Sequence, residues 1–144
     1  STTWTRRRSL AGENDGLIYS GNAAVEGALD GRRGWFLGHF RAPDTGLPHS
    51  REVEIKWGTH YQGEEKTLLA ANQSATTLSV LVSGAFRVWF PQYEREIILA
   101  EPGDYVVFAP GVAHTWRAME DTVIISVRWP SLPEDQQPVE ETNP

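Results

Sequence analysis

Cysteine is absent from this chain of 144 residues, and methionine occurs once. Without cysteine the chain forms no disulfide framework, no thiolate nucleophile and no sulfur-ligated zinc or iron–sulfur site. Long apolar runs are missing too: the stretch from Tyr105 to Pro110 is far shorter than the roughly 20 residues that a membrane helix needs. Because the N-terminus also lacks an apolar signal core, we expect a cytoplasmic protein with no membrane partner.

Positive charge is scarce as well, since 13 Lys and Arg residues stand against 19 Asp and Glu residues and the formal net charge is −6. Nucleic-acid binding depends on clustered Lys and Arg side chains that face phosphates. The one basic cluster of the sequence, Arg6 to Arg8, lies in a polar N-terminal arm and is most simply a solvated segment. We therefore expect no nucleic-acid partner.

Helical periodicity is rare in the body of the chain, whereas short strands and turns alternate at a spacing of about 8–12 residues. Alternation of apolar and polar residues predicts a half-buried strand at 51–59, and the turn at Ser83 and Gly84 predicts a hairpin between 76–82 and 85–90. This pattern indicates an antiparallel sandwich or a closed barrel. Further strands are predicted at 34–40, 94–99, 105–108, 114–119 and 122–129.

The chain is long enough for one domain with one core, because 40% of its residues are apolar and six are tryptophans. We place an N-terminal arm at 1–34, in which residues 22–30 are either a short helix or irregular coil, and a β-barrel at 35–130. The acidic, proline-rich tail at 131–144 has almost nothing to bury. Its composition predicts a mobile segment, unless it is held against its own barrel or a neighbouring subunit.

One hairpin of the sequence is built to place a single imidazole. In 103–114 a turn glycine, an apolar strand, a Pro–Gly turn and a histidine follow one another. The spacing of Gly103, Gly111 and His114 resembles the second motif of the cupin superfamily, although Ala109 stands where that motif usually has proline. The resemblance implies an all-β fold, a single cupin-type jelly-roll β-barrel with an irregular N-terminal arm and an extended C-terminal tail.

The first cupin motif is only partly present. Gly84 stands at its terminal glycine, but Thr77 occupies the position of its glutamate, and residues 71–73 stand where its two histidines belong. A divalent transition metal usually needs three or more side-chain ligands. A metal cofactor is therefore disfavoured, and the sequence names no other cofactor.

A non-standard metal site around His60 remains the alternative. Glu64 and Glu65 follow His60 closely, and with His114 they would supply imidazole and carboxylate ligands. In the opposite interpretation His60 ends a strand at the surface and the two carboxylates belong to a solvated loop. Strand alternation favours that interpretation, because it puts His60 on the charged face of its strand.

The strand after the Pro–Gly turn places His114 and Trp116 on one face. The cupin resemblance implies that His114 faces the barrel interior, where Thr77 and Ser79 would add hydroxyl groups. Such a lining suits a neutral or weakly polar small organic ligand that stacks on indole. In the simpler interpretation, His114 is a hydrogen-bonded histidine at the barrel rim.

The chain also resembles small bacterial cupin-like proteins that carry a Lys-Trp-Gly-x-His stretch and a Pro-Gly-Val-x-His turn, present here at 56–60 and 110–114. That resemblance implies that His60 and His114 belong to one site, and we predict both as catalytic residues. The ligand-binding residues that we predict are aromatic or hydroxyl-bearing: Trp116, Trp57, Thr77, Ser79 and Tyr105.

Two classes of function remain open. In the first, the protein is a metal-independent isomerase, epimerase or cyclase that uses His114 as acid or base, because imidazole titrates near neutrality. In the second, the barrel binds its ligand without chemistry, as a sensor or carrier. A metal-dependent enzyme of the dioxygenase type requires His60 and a glutamate to replace the missing ligands.

Large side chains on the outer faces of two strands predict a homodimer. Arg87 and Trp89 alternate with the apolar residues of their strand, so their face is covered by something other than the barrel interior. Arg128 and Trp129 end the last strand, where they would anchor a second subunit or the tail.

Overall fold

A computed structural model of the chain describes residues 13–14 and 16–140. The basic cluster at Arg6 to Arg8 and the last residues of the tail, 141–144, lie outside the described residues. Within the described part, two five-stranded antiparallel sheets and a two-stranded ribbon make up the fold. The prediction of an all-β fold is confirmed. No helix in this part of the chain is both long and apolar enough to cross a membrane.

The elements follow one another as short strands with little helix between them. The ribbon consists of β1 (Glu13–Asn14) and β2 (Tyr19–Ser20), followed by helix α1 (Ala23–Gly27) and a 3-10 turn (Leu29–Gly31). A second 3-10 turn spans Pro91–Tyr93. The strands of the two large sheets are β3 (Trp35–Leu37), β4 (Glu54–His60), β5 (Glu65–Asn72), β6 (Thr76–Ser83), β7 (Phe86–Phe90), β8 (Arg95–Leu99), β9 (Tyr105–Phe108), β10 (His114–Ala118), β11 (Thr122–Trp129) and β12 (Gln136–Pro138).

The two large sheets interleave strands from distant parts of the chain. Sheet I has the order β3-β4-β11-β6-β9, and sheet II has the order β12-β5-β10-β7-β8. Consecutive strands therefore often lie in different sheets, as β10 and β11 do. The sheets are joined by several crossings of the chain, and residues far apart in sequence meet between them.

An apolar core holds the sheets together on the side of β6 to β9. Strand β7 shows the alternation that builds it, because Phe86, Val88 and Phe90 are buried while Arg87 and Trp89 are half-buried. The Arg87 guanidinium carbon lies 5.5 Å from the Trp89 ring centroid, so these two residues cover one another on the outer face. The remaining buried members of the core cluster are Leu81, Leu99, Ala118 and Ile124.

Strand β5 is not predicted by the sequence pattern. Its residues show no alternation, since the first half is largely exposed and Leu69 to Asn72 are buried in succession. Leu68 is 63% exposed, although it lies in the middle of the strand. Because burial changes along the length of this strand instead of alternating, its sequence lacks the two-residue period by which strands are predicted.

The segment 22–30, which the sequence leaves as helix or coil, contains helix α1. Asn22 caps this helix, because its side-chain oxygen accepts a hydrogen bond of 3.0 Å from the backbone N–H of Val25. Glu26 on the helix is buried and pairs with Arg41 at 3.1 Å. The buried ion pair fixes the N-terminal segment against the barrel.

The first part of the tail is held against its own barrel. The carboxylate of Asp135 accepts hydrogen bonds from the backbone N–H groups of Ser74 and Ala75 at 2.9 and 3.0 Å. Strand β12 then pairs with β5, and Val139 packs on a small buried cluster that includes Leu69. Of the alternatives that the sequence leaves open for the tail, this part takes the one in which it is held against its own barrel, because an edge strand of sheet II offers unpaired backbone groups to it.

Two motif glycines allow backbone strain and steric clash to be separated. Gly84 and Gly103 have nearly equal φ angles, +94° and +93°, in the region that favours glycine. A Cβ atom on Gly84 would lie 2.2 Å from the carbonyl oxygen of Asp121, whereas one on Gly103 would meet nothing within 4 Å.

We therefore expect Gly103→Ala to lower the free energy of unfolding by about 1–2 kcal/mol, the cost of the backbone conformation alone. Gly84→Ala should lower it by clearly more, because the hairpin backbone must also move away from Asp121. Urea unfolding of both variants and the wild type measures the difference. Equal losses would show that the close approach at Gly84 is relieved without cost.

Candidate functional site

A cavity of about 400 Å³ lies between the two sheets. All strands of sheets I and II except β8 contribute side chains to its lining. The core cluster borders the cavity through Phe86, Val88 and Ile124, and the rest of the lining combines polar side chains with Trp35, Leu68, Phe108 and Trp116. A second cavity of about 540 Å³ adjoins it and shares Arg33, Trp35 and other residues of the lining.

His114 is the buried imidazole of this cavity, and the residue is 7% exposed. Its ring centroid lies 4.6 Å from that of Phe108. Nδ1 lies 3.2 Å from the carbonyl oxygen of Val112, and a carbonyl only accepts, so Nδ1 carries the proton in this contact. The neutral ring then has Nε2 as its free proton acceptor. His114 is therefore not the rim histidine of the simpler interpretation.

The charge state of His114 follows from its surroundings. The pKa of the imidazole is lowered to about 4, mainly by burial and to a smaller extent by the positive charges of Lys66 and Arg128, while the hydrogen bond to Val112 acts in the opposite direction. Since burial disfavours the charged form of a base, His114 is neutral at neutral pH.

His60 lines the same cavity at another level. Its ring centroid lies 4.5 Å from that of Trp116, and its Nδ1 lies 3.0 Å from a carboxylate oxygen of Glu64. Burial lowers the pKa of His60, and the hydrogen bond with Glu64 acts in the opposite direction. His60 therefore lies beside Trp116. Because His114 precedes Trp116 by two positions on one face of β10, the positions of these two residues along the strand are about 7 Å apart.

Strand β4 presents its charged face to the inside of the barrel. Lys56 and His60 line the cavity, and Glu54 is buried beside it. The interpretation of His60 as a surface residue is therefore wrong, although the alternation that puts His60 on the same face as Glu54 and Lys56 is right. Trp57 alternates with these residues and lies outside the cavity lining.

The structure brings together most of the predicted site residues. Trp116, Thr77 and Ser79 line the cavity with the two histidines. Trp57 and Tyr105 do not: Trp57 points to the outer face of β4, and Tyr105 is 63% exposed on β9. The proposed role of these two side chains in ligand binding is corrected, because each stands at the opposite parity of its strand.

The hydroxyl groups of the cavity are paired with one another or with amides. Asn72 donates a hydrogen bond of 2.6 Å from Nδ2 to Oγ1 of Thr77, and both residues are buried. The hydroxyls of Ser79 and Ser126 lie 2.8 Å apart. Ser126 is a lining residue that the sequence does not single out, because it belongs to β11 and only the register with β6 brings it to Ser79.

Four cationic side chains of the lining are not predicted either. Arg33, Lys56, Lys66 and Arg128 come from four separate segments of the chain and all line the cavity. The expectation of a lining suited to a neutral ligand is therefore incomplete. The signal in the sequence is the alternation of Lys56 and His60 on one face of β4. From the sequence alone that face is interpreted as solvated, and only the packing of sheet I against sheet II shows that it points inward.

Trp35 holds two of these cations. The Arg128 guanidinium carbon lies 4.4 Å from the Trp35 ring centroid and the Lys56 ammonium nitrogen lies 5.8 Å from it, both within the range of cation–π contacts. The pKa of Lys56 is lowered to about 8, mainly by burial and in part by the charges of Arg128, Arg33 and Lys66. The cations therefore repel one another in a partly water-excluded space.

The metal that the cupin motifs imply does not fit these residues. Within residues 13–14 and 16–140, no three His, Cys, Asp or Glu side chains are grouped to hold a metal ion. Thr77 stands at the position of the motif's glutamate and accepts a hydrogen bond from Asn72. The non-standard site is not assembled, since Glu64 binds His60 in a pair without His114.

Fold and cavity together define a small double-stranded β-helix barrel with an internal cavity. No protein-family model matches the chain, and no curated protein matches it. Among solved structures, KdgF from Halomonas sp. is 22% identical with a TM-score of 0.53 over 60% of this chain and 76% of that chain. An uncharacterized conserved protein with a double-stranded beta-helix domain from Klebsiella pneumoniae is 16% identical, with a TM-score of 0.55 over 64% and 78%.

A third match is an RmlC-like cupin protein from Desulfovibrio desulfuricans, 20% identical with a TM-score of 0.50 over 58% of this chain and 76% of that chain. This chain has the fold of the cupin superfamily. The resemblance of the Gly103 to His114 hairpin to a cupin motif is thereby confirmed at the level of the fold.

The low pKa of His114 predicts a specific pH dependence of stability. Above pH 6.5 the imidazole is neutral in both the folded and the unfolded chain. As the pH falls from 6.5 towards 4, the unfolded chain binds a proton that folded His114 does not, so stability is lost. The loss attributable to this residue is roughly 3 kcal/mol.

We expect His114→Gln to remove this part of the pH dependence, because glutamine does not titrate. Urea unfolding at pH 7.5 and pH 4.5 for the variant and the wild type measures it. His60 contributes equally to both proteins and cancels. Parallel pH profiles of the two proteins would contradict the low pKa of His114.

Proposed function

We propose that this protein binds a small organic molecule in the cavity between its two sheets, with His114 as the residue that exchanges a proton with it. The observation that carries the proposal is a buried, neutral imidazole on the wall of the cavity between the two sheets. The cavity of about 400 Å³ falls in the range of small-molecule sites, about 300–1,000 Å³.

Aromatic rings give this space a wall on which a ligand can stack. The rings of Phe86 and Trp116 are stacked at 5.2 Å, and Trp116 in turn contacts His60. Phe108 and His114 form a second pair deeper in the barrel. Flat or apolar ligands bind such surfaces through dispersion and desolvation.

The chemistry open to His114 is proton transfer. Its unprotonated Nε2 takes a proton from a bound molecule and returns it at another atom, and isomerisation, epimerisation and cyclisation are reaction types in which such a transfer takes part. At a pKa of about 4 the free imidazole is a weak base. Part of that weakness comes from Lys66 and Arg128, so a ligand that offsets their charge strengthens the base.

The same low pKa favours a second candidate function, ligand binding without chemistry. A base with a pKa far below the working pH transfers protons less efficiently than one near it. In this alternative the barrel is a carrier or sensor, and His114 only accepts a hydrogen bond from the ligand.

A thermal-shift screen of small metabolites, followed by NMR of the imidazole groups, tests the proposal. We expect ligands that raise the melting temperature to shift the resonances of His114 and His60. His49 is the internal control, because its Nδ1 lies 2.9 Å from the carbonyl oxygen of Arg41 and the residue is outside the cavity lining. Hits that perturb only His49, or a screen without hits, would overturn the proposal.

The variant His114→Gln then separates the two functions. If the protein is an enzyme, turnover of the identified ligand falls by about 100-fold or more while its affinity changes little. If the wild type leaves the ligand unchanged and His114→Gln only weakens binding, the protein is a carrier or sensor. His49→Gln serves as the matched control and should behave as the wild type.

A further inference from the structure

We propose that the ligand of this cavity is an organic anion whose carboxylate or phosphate group lies among Arg33, Lys56, Lys66 and Arg128. Its carbon skeleton would lie against Trp116. This inference rests on the proposed function and names the chemical class of its ligand.

The first argument is the local excess of positive charge. The cavity lining contains these four cations, of which Arg33 is exposed, and one carboxylate, Glu65, which is exposed as well. The whole chain has a formal net charge of −6, so the composition does not explain positive charge at this place. Cavities lined by one sign of charge concentrate small ligands of the other sign.

The second argument is the lack of protein counter-ions. Arg128 has one, since Glu54 lies 3.5 Å from it, but Glu54 also accepts a hydrogen bond from Ser131. Lys66 donates to the neutral side chain of Gln136 at 3.0 Å. Within the part of the chain that the structure describes, neither Lys56 nor Lys66 forms an ion pair.

The third argument is energetic. Like charges that are partly buried together without counter-ions destabilise a protein, and their pKa values show the repulsion. Burial and neighbouring cations lower the pKa of Lys56 and of Lys66. Burial also lowers the pKa of Arg128, with a smaller lowering by Arg33, while the carboxylates of Glu54 and Asp135 act in the opposite direction. A bound anion would offset the repulsion at all three side chains. The cluster therefore has the properties of an anion site, because protein carboxylates balance only part of its positive charge.

The arrangement of the cations and the aromatic rings points to a ligand with an acidic group beside an apolar body. Trp35 holds Lys56 and Arg128 in place through cation–π contacts, so the site is organised before any ligand binds. Lys66 pairs with Trp116 in the register of β5 and β10. The cationic and aromatic parts of the lining are thus adjacent, and a ligand with an acidic group next to a planar or apolar body contacts both.

Three probe molecules separate the effect of the ligand's charge from the effect of its shape. Benzoate and phenyl phosphate carry the two kinds of anionic group, and benzamide is a neutral analogue of nearly the same shape. We expect at least one of the anions to bind about tenfold more tightly than benzamide, and the better anion distinguishes a carboxylate from a phosphate site. NMR titration of the His114 and His60 resonances gives the dissociation constants.

The variants Lys56→Gln and Lys66→Gln should each weaken anion binding by about tenfold and leave benzamide binding unchanged. Arg117→Gln is the matched control, because it removes one positive charge from an exposed position on β10. Lys56→Arg should retain the preference for anions. Lys56→Gln should not lower the melting temperature of the free protein, because it removes a repelled charge.

The outcomes separate this inference from the proposed function. Equal binding of benzoate, phenyl phosphate and benzamide leaves a small-molecule site but overturns the anionic class. Binding of neither anion at millimolar concentration also overturns it, and the metabolite screen then tests the proposed function independently. Equal weakening by Arg117→Gln and Lys56→Gln would show only a long-range effect of net charge and would overturn the assignment to this cluster.

Discussion

The packing of β7 against β6, β9 and β11 is the contact on which the rest of the structure depends. Phe86, Val88 and Phe90 close the two sheets on one side, where their burial supplies the main apolar driving force. Because that side is filled, the opposite side between β4 and β5 is left open for polar side chains. The cavity is a consequence of a core that occupies only part of the barrel.

Polar residues inside the barrel behave differently from the same residues at its surface. Burial together with neighbouring positive charges lowers the pKa of His114 to about 4 and that of Lys56 to about 8. These shifts are coupled, because the charges of Lys66 and Arg128 act on the imidazole. A ligand that changes the charge at the cationic cluster therefore changes the basicity of His114 without touching it. The cationic cluster and the basicity of His114 are linked through electrostatics.

Much of the fold could be predicted from the sequence, and less of the site. Alternation and turn chemistry predict β6 to β11 closely, and the pairing of His114 with Trp116 on one face follows from the period of a strand. Strand β5 shows no period, and it supplies Lys66 to the site. The catalytic roles of His60 and His114 and the homodimer stay predictions, as does the division into arm, barrel and tail.

The sequence by itself determined the all-β class, the turn that presents His114 and the absence of sulfur chemistry, because these depend on residue type and local spacing. Only the tertiary structure decided that the charged face of β4 points inward and that Arg33, Lys56, Lys66 and Arg128 meet. A two-residue period separates the two faces of a strand but does not say which face is covered. That choice depends on sheet order and register, which bring together segments far apart in the chain.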